Sequence, residues 1–141
     1  MKELKFRVYD KKKHKLFDVM CLYTDKQIEY RDGCAIVKLN KNDGDDFIVM
    51  QYTGFKDKNG KEIYEGDIIL IDAGDSFLEI KQQYVVRYDS MIASYCFETN
   101  NGDKIYLTRF GNPDFFIKNK VEVIGNIYEN PELIVLLSDD A

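Results

Sequence analysis

The sequence holds no tryptophan, one histidine and three cysteines with no close pair, and each scarcity excludes something. The single histidine, His14, stands beside Lys12, Lys13 and Lys15, the setting of a solvated turn and not of a proton-transfer site. Cys21, Cys34 and Cys96 are odd in number and lack a C-x-x-C spacing, so neither a disulfide framework nor a zinc ribbon is expected. Cys96 alternates with apolar neighbours over 93–97 and reads as a small buried hydrophobe. The longest apolar runs, 68–71 and 133–137, are far too short to span a bilayer, and residues 1–14 are charged and lack a signal-peptide apolar segment. A cytoplasmic chain with no membrane partner is the expectation.

Several signatures of chemistry are also missing. Neither G-x-x-x-x-G-K-[ST] nor G-x-G-x-x-G occurs to cradle phosphate, and no G-x-S-x-G elbow presents a nucleophile. Carboxylates gather at Asp43, Asp45 and Asp46 and at Asp72 and Asp75. A calcium loop counted from Asp43 would need Glu at its twelfth position and finds Gly54. Both clusters read as solvated loops, and no metal or cofactor is expected. The net charge of −5 argues against non-specific nucleic-acid binding, which depends on Lys and Arg neutralising phosphates.

What is present describes a folded β domain. Hydrophobic residues make up 45% and charged residues 32%, enough apolar surface for a core, and the 10 Tyr and 9 Phe favour pleated, half-buried strands. Leu4, Phe6 and Val8 alternate with polar residues. A polar turn follows and then a return run over 15–19, so 4–20 reads as a hairpin. Strands are expected at 35–39 and 47–52, while 20–34 is ambiguous. Asn59-Gly60 marks a tight turn, and Glu65-Gly66-Asp67 marks another that feeds an apolar, central strand over 67–71. Further strands are expected over 81–88, 91–99 and 104–110, with an Asn-Gly turn before the last. The final strand, 121–128, contains Gly125, the mark of a bulge or a close backbone approach. Asn130-Pro131-Glu132 then starts a short helix with Asn as cap.

The expected class is mainly β: an antiparallel, strongly bent sheet or a partly open barrel, with a short C-terminal helix. The Gly66-Asp67 turn allows an SH3-like element. A single domain spans 1–141, with an N-terminal hairpin and extension over 1–49, a β core and helix over 50–137, and a frayed tail over 138–141.

Three stretches carry a family resemblance: MQYTGFKDKNGKEIYEGDI over 50–68, KFRVYD over 5–10 and VEVIGNIYENPEL over 121–133. Taken in chain order they resemble the YopX family of phage and prophage proteins, while 20–46 and 72–118 match little. The resemblance implies a β-rich, partly barrel-like protein encoded by phages or integrated elements, with no established biochemical activity.

The shared residues can be read structurally. Gly54, Asn59, Gly60, Gly66 and Asp67 serve turns, Ile63, Ile68 and Ile124 the core, and Gly125, Asn126, Asn130 and Pro131 the end of the last strand and the helix start. Two surfaces remain as candidates. Tyr52, Phe55, Tyr64 and Tyr128 form an aromatic set of the kind enriched at protein interfaces, with a second copy or a host protein as partner. Lys11, Lys12, Lys13 and Lys15, near Arg7, form a basic hairpin able to track single-stranded nucleic acid, with Tyr9 or Phe17 for stacking. A third reading, an unrecognised carboxylate or metal enzyme, requires Lys56, Asp57, Glu62 and Asp67 to converge on one pocket.

Overall fold

The computed structural model describes residues 4–23, 27–40, 46–72, 81–91, 93–99, 102–106 and 121–133. Among the described residues eleven strands form in chain order: β1 Phe6–Asp10, β2 Lys15–Leu22, β3 Ile28–Asp32, β4 Ala35–Leu39, β5 Phe47–Lys56, β6 Glu62–Tyr64, β7 Asp67–Asp72, β8 Lys81–Asp89, β9 Ser94–Glu98, β10 Lys104–Tyr106 and β11 Glu122–Asn126. They build two antiparallel sheets, ordered β4-β3-β2-β1-β5-β6 and β10-β9-β8-β7-β11. The mainly β, antiparallel class is therefore the one expected, in its open-sheet form. By contacts the chain divides after Tyr52, inside β5, into units of residues 1–52 and 53–141.

In the first unit β1 pairs with β2 on one side and β5 on the other, so that Val8 faces Phe17 and Val49. The turn between β1 and β2 closes because the Asp10 carboxylate accepts from the Lys12 and Lys13 amides, at 3.0 and 3.2 Å, while His14 takes φ 53°. The ambiguous stretch resolves as the end of β2 and as β3, with an extra residue in β2 between Val19 and Cys21 that breaks the alternation there. Val8, Phe17, Ile28 and Tyr30 form the buried centre, packed by Val19, Val37, Leu39, Phe47 and Val49. Phe17 and Tyr30 stack at 4.3 Å. The alternation in β1 does not leave one face in water: Arg7 is buried too, its Nη2 lying 3.7 Å from Met50 Sδ.

In the second unit β7 lies between β8 and β11, which explains its apolar character on both faces. Ile63, Ile69, Ile71, Val86, Tyr95, Phe97 and Val121 make its core, with Phe55, Tyr84 and Val123 packed around it. Each such aliphatic or aromatic side chain contributes about 1.5–3 kcal/mol by leaving water. Tyr84 and Phe97 lie 6.2 Å apart within this packing. Tyr88 continues the same face but is exposed, meeting Tyr95 edge-on at 5.2 Å. Cys96 is fully buried, and burial pushes its thiol up. Residues 131–133 form one helical turn. The expected continuation of that helix, the tail, and the 107–110 part of the expected 104–110 strand lie outside the described residues. Among the described residues no helix is long and apolar enough to cross a membrane.

Candidate functional site

The signature segment redirects the chain at three places, a Gly54 irregularity inside β5 and two turns after it, and the polar side chains there bond to the main chain. Thr53 Oγ1 donates to the Ile63 carbonyl at 2.8 Å and accepts from the Phe55 amide at 3.2 Å. Gly54, exposed and at φ 92°, sits between those bonds, so β5 continues to Lys56 instead of ending at Tyr52.

The first of the two turns centres on Asp57, which is buried. Its Oδ1 accepts from the Asn59 and Lys61 amides, each at 2.9 Å, and its Oδ2 accepts from the Val123 amide at 3.0 Å. The Asp57 amide donates to the Lys61 carbonyl at 2.8 Å and Gly60 N to the Asp57 carbonyl at 3.0 Å, closing a three-residue loop with Gly60 at φ 82°. One carboxylate thus ties the hairpin to β11, 66 residues away in sequence. Sequence reasoning assigned the turn to Asn59 and Gly60 and missed Asp57. The available signal was an Asp two positions before Asn-Gly, the pattern of a side chain that bonds backbone two residues on.

At the other turn Asp67 Oδ2 accepts from the Tyr64 amide at 2.8 Å. Gly66, at φ 88°, donates to the Val86 carbonyl at 2.8 Å and accepts from the Ile127 amide at 2.9 Å. Beside this turn Glu65 is half-buried, and burial pushes its carboxyl up while the Arg87 charge pulls it down. Burial also pushes the Tyr95 hydroxyl up to about 12, with the Glu65 and Tyr88 charges adding to it.

The last segment closes in the same manner. β11 carries a bulge between Val123 and Gly125, as its glycine foretold. Asn126 Oδ1 accepts from the Tyr128 and Glu129 amides at 3.0 and 2.8 Å, and its Nδ2 donates to Glu129 Oε1 at 2.9 Å. Asn130 corrects an expectation. Among the described residues its Oδ1 accepts from the Asn126 amide behind it, at 3.2 Å, instead of capping the helix ahead. Gly125 is required by that arrangement, because a Cβ there would lie 2.5 Å from Asn130 Oδ1. Pro131 opens the helical turn, and Ile124 is half-buried in the bulge.

The aromatic set does not share one environment. Tyr52 and Tyr64 are buried, while Phe55 and Tyr128 are half-buried, with Phe55 packed on the core of the second unit. The apolar side chains that do face solvent were not singled out from sequence. In the first unit they include Met20, Leu22, Tyr23 and Ile36, on or just beyond β2 and β4.

The basic hairpin is partly engaged. Lys12 Nζ lies 3.3 Å from Asp46, and Lys13 Nζ lies 2.9 Å from Asp32 and 5.3 Å from the Tyr30 ring centre. Lys15 Nζ sits 5.5 Å from the Phe17 ring centre, and Lys11 is exposed. The Asp32 bond holds the Lys13 ammonium above its usual range. Burial raises the Asp10 carboxyl, but the Tyr30 hydroxyl at 2.7 Å and the Lys13 and Lys12 amides outweigh it and hold the group below its ordinary value. Of the residues whose convergence would mark an enzyme, Asp57 and Asp67 bond to backbone amides, Glu62 Oε1 accepts from the Tyr64 hydroxyl at 3.4 Å, and Lys56 is exposed. Among the described residues no group of three His, Cys, Asp or Glu side chains is placed to hold a metal ion. Asp43, Asp45 and Asp75 lie outside the described residues.

Comparison with known proteins matches residues 5–135 to a family model described as YopX protein. The crystal structure of protein EF1440 from Enterococcus faecalis is similar, with a TM-score of 0.62 at 25% identity, over 95% of this chain and 99% of that one. The X-ray structure of protein yopX from Bacillus subtilis gives a TM-score of 0.57 at 16% identity, over 92% and 95% of the two chains, a likeness of fold alone. No curated protein matches.

Proposed function

We propose, from the premise that the chain belongs to the YopX family, that it is a phage- or prophage-encoded accessory protein that works by protein–protein contact and not by catalysis. Its partner is a second copy or a host factor in the bacterial cytoplasm. The observation that carries this reading is the occupation of the signature's polar groups. A catalytic carboxylate must turn an oxygen toward substrate, whereas both oxygens of Asp57 already accept main-chain N–H groups. Asp67, Asn126 and Asn130 likewise close turns.

The surface that fits the role is one face of β3 and β4 on the first unit, where Ile36, opposite Arg31, is 59% exposed and Tyr23, whose hydroxyl donates to Glu29, is 43% exposed; Leu22, opposite Ile28, lies on the other face. Aromatic side chains and Met are enriched at interfaces. Light scattering on the purified chain, with a tagged pull-down from host lysate, tests the reading. Association is expected, and a Tyr23→Asp/Ile36→Asp variant that keeps its far-ultraviolet circular dichroism should weaken it at least about tenfold, the equivalent of ~1.4 kcal/mol. A strict monomer that retains no host protein refutes the contact role, and association untouched by the double variant refutes the surface.

A further inference from the structure

Asn59 and Gly60 are adjacent and exposed at the tip of the 57–61 turn. An Asn-Gly pair is the dipeptide in which a main-chain nitrogen most readily attacks the preceding side-chain amide, because glycine puts no side chain in the way. Here the surroundings are open as well: a Cβ built on Gly60 meets nothing within 4 Å. What opposes the attack is hydrogen bonding. Gly60 N–H, the group that must become the nucleophile, donates to the Asp57 carbonyl at 3.0 Å. The Asn59 and Lys61 amides on either side are held at 2.9 Å by Asp57 Oδ1. The same carboxylate disfavours an amide anion forming beside it, and its Oδ2 bond to the Val123 amide anchors the turn to β11.

A second turn in the molecule shows what the carboxylate adds. Thr99 N donates to the Asp103 carbonyl at 2.9 Å, Gly102 N to the Thr99 carbonyl at 3.0 Å, and Asp103 N to Thr99 Oγ1 at 3.1 Å. These bonds repeat those of the 57–61 turn with a hydroxyl in place of the carboxylate. Among the described residues Thr99 makes no counterpart of the bond to Val123.

We propose that Asn59 is a latent deamidation site, closed while Asp57 holds the 57–61 turn and reactive only when that turn opens. In the open turn Gly60 N gives its proton to hydroxide and attacks Asn59 Cγ. The N–Cγ bond closes a succinimide, the Cγ–Nδ2 bond breaks, and ammonia leaves with a proton taken from water. Water then opens the ring at either carbonyl to give an aspartyl or isoaspartyl residue. The product is one charge more negative than the −5 of the unmodified chain. Its isoaspartyl form adds a methylene to the main chain inside the loop that Asp57 and Lys61 close. The added methylene therefore distorts the turn through which Asp57 and the Lys58 amide, which donates to the Val121 carbonyl at 2.9 Å, hold the hairpin to 121–126, and the chain carries a slow, irreversible switch in its signature turn.

The test follows the Asn59 peptide by mass mapping of the full chain, kept warm at mildly alkaline pH, folded or in denaturant. Reaction through local opening scales with the open fraction, so the folded chain should react at least about tenfold more slowly than the denatured one. The suppression should match the hydrogen-exchange protection of the Gly60 amide, a readout that needs no variant. An Asp57→Thr chain, which copies the second turn, should react several-fold faster than the wild type if circular dichroism shows it folded. Reaction of the folded wild type at the denatured rate, or suppression that departs from Gly60 protection, overturns the proposal. A folded Asp57→Thr chain with an unchanged rate overturns the role of Asp57.

Discussion

Asp57→Ala is the substitution that most directly tests the architecture. It deletes one carboxylate and three hydrogen bonds at once, from the Asn59, Lys61 and Val123 amides. These losses differ in kind. Asn59 and Lys61 are exposed, so water can replace the acceptor, and each bond costs about 0.5–1.5 kcal/mol. The Val123 amide sits in β11 beside the core of the second unit, packed by Ile69 and its neighbours. Left without an acceptor it costs about 1–3 kcal/mol. A total of about 2–6 kcal/mol follows, a large fraction of the ~5–15 kcal/mol that holds a typical domain.

Urea unfolding followed by tyrosine fluorescence and circular dichroism would measure the loss as a lower midpoint at unchanged slope. The location of the damage is a second readout. Amide exchange should accelerate in β7, β8 and β11, the sheet to which Asp57 is tied, and stay close to wild type in β2 and β3 of the first unit. A stability change under about 0.5 kcal/mol, or faster exchange confined to the first unit, would show that the three-way carboxylate bond does not hold the second unit together.

Two other perturbations have signs fixed by the geometry. Gly125→Ala places a methyl 2.5 Å from Asn130 Oδ1 and should cost about 1–3 kcal/mol by thermal or urea unfolding. Adding Asn130→Gly should recover part of that loss, giving a coupling of at least about 0.5 kcal/mol in a double-mutant cycle. Glu65 has its folded carboxyl raised above the 4.5 of the unfolded chain, chiefly by burial. The folded state therefore binds the proton more tightly. This group's favourable contribution is complete below the unfolded value and disappears as pH rises through the higher folded value. Glu65→Gln should thus be more stable than wild type at neutral pH, with the advantage vanishing in acid. Urea midpoints across that range check it, and an advantage that grows toward acid would refute it.

The β class and most strand positions were legible because the relevant signals are local. Alternation in Leu4, Phe6 and Val8, the Asn59-Gly60 and Gly66-Asp67 turns, and the break at Gly125 all act within a few residues, and each appears as a hairpin, turn or bulge. What escaped was long-range. Nothing in the sequence says that Asp57 reaches Val123, because the partner is a main-chain N–H with no residue-type signature. Asn130 was misread for a related reason. Asn before Pro is a sound helix-cap pattern, yet the cavity left by Gly125 draws the side chain backward to Asn126. The 20–34 interval was ambiguous because β2 carries an extra residue between Val19 and Cys21, which puts its own inward and outward positions out of step, although β3 alternates regularly at Ile28, Glu29, Tyr30 and Arg31. The aromatic set divides between buried and half-buried positions, a difference that composition cannot show, since it does not distinguish a buried tyrosine such as Tyr64 from an exposed one such as Tyr88.

These differences bear on how the proposed contact role is divided along the chain. The turns built by Asp57, Asp67, Asn126 and Asn130 all fall inside the stretches that resemble the family. The exposed apolar residues Met20, Leu22, Tyr23 and Ile36 all fall between those stretches, in the 20–46 interval, which the family match also spans. A scaffold held by side-chain-to-backbone bonds tolerates change elsewhere, since those bonds do not depend on what the neighbouring strands display on their solvent faces. At 25% identity the Enterococcus faecalis protein shares the fold over 95% of this chain. Under the proposed function, partner choice lies in that interval. Exchanging residues 20–39 between the two proteins should transfer binding while leaving the stability of the second unit unchanged. Binding that instead followed residues 53–133 would place the contact on the signature turns and defeat the division.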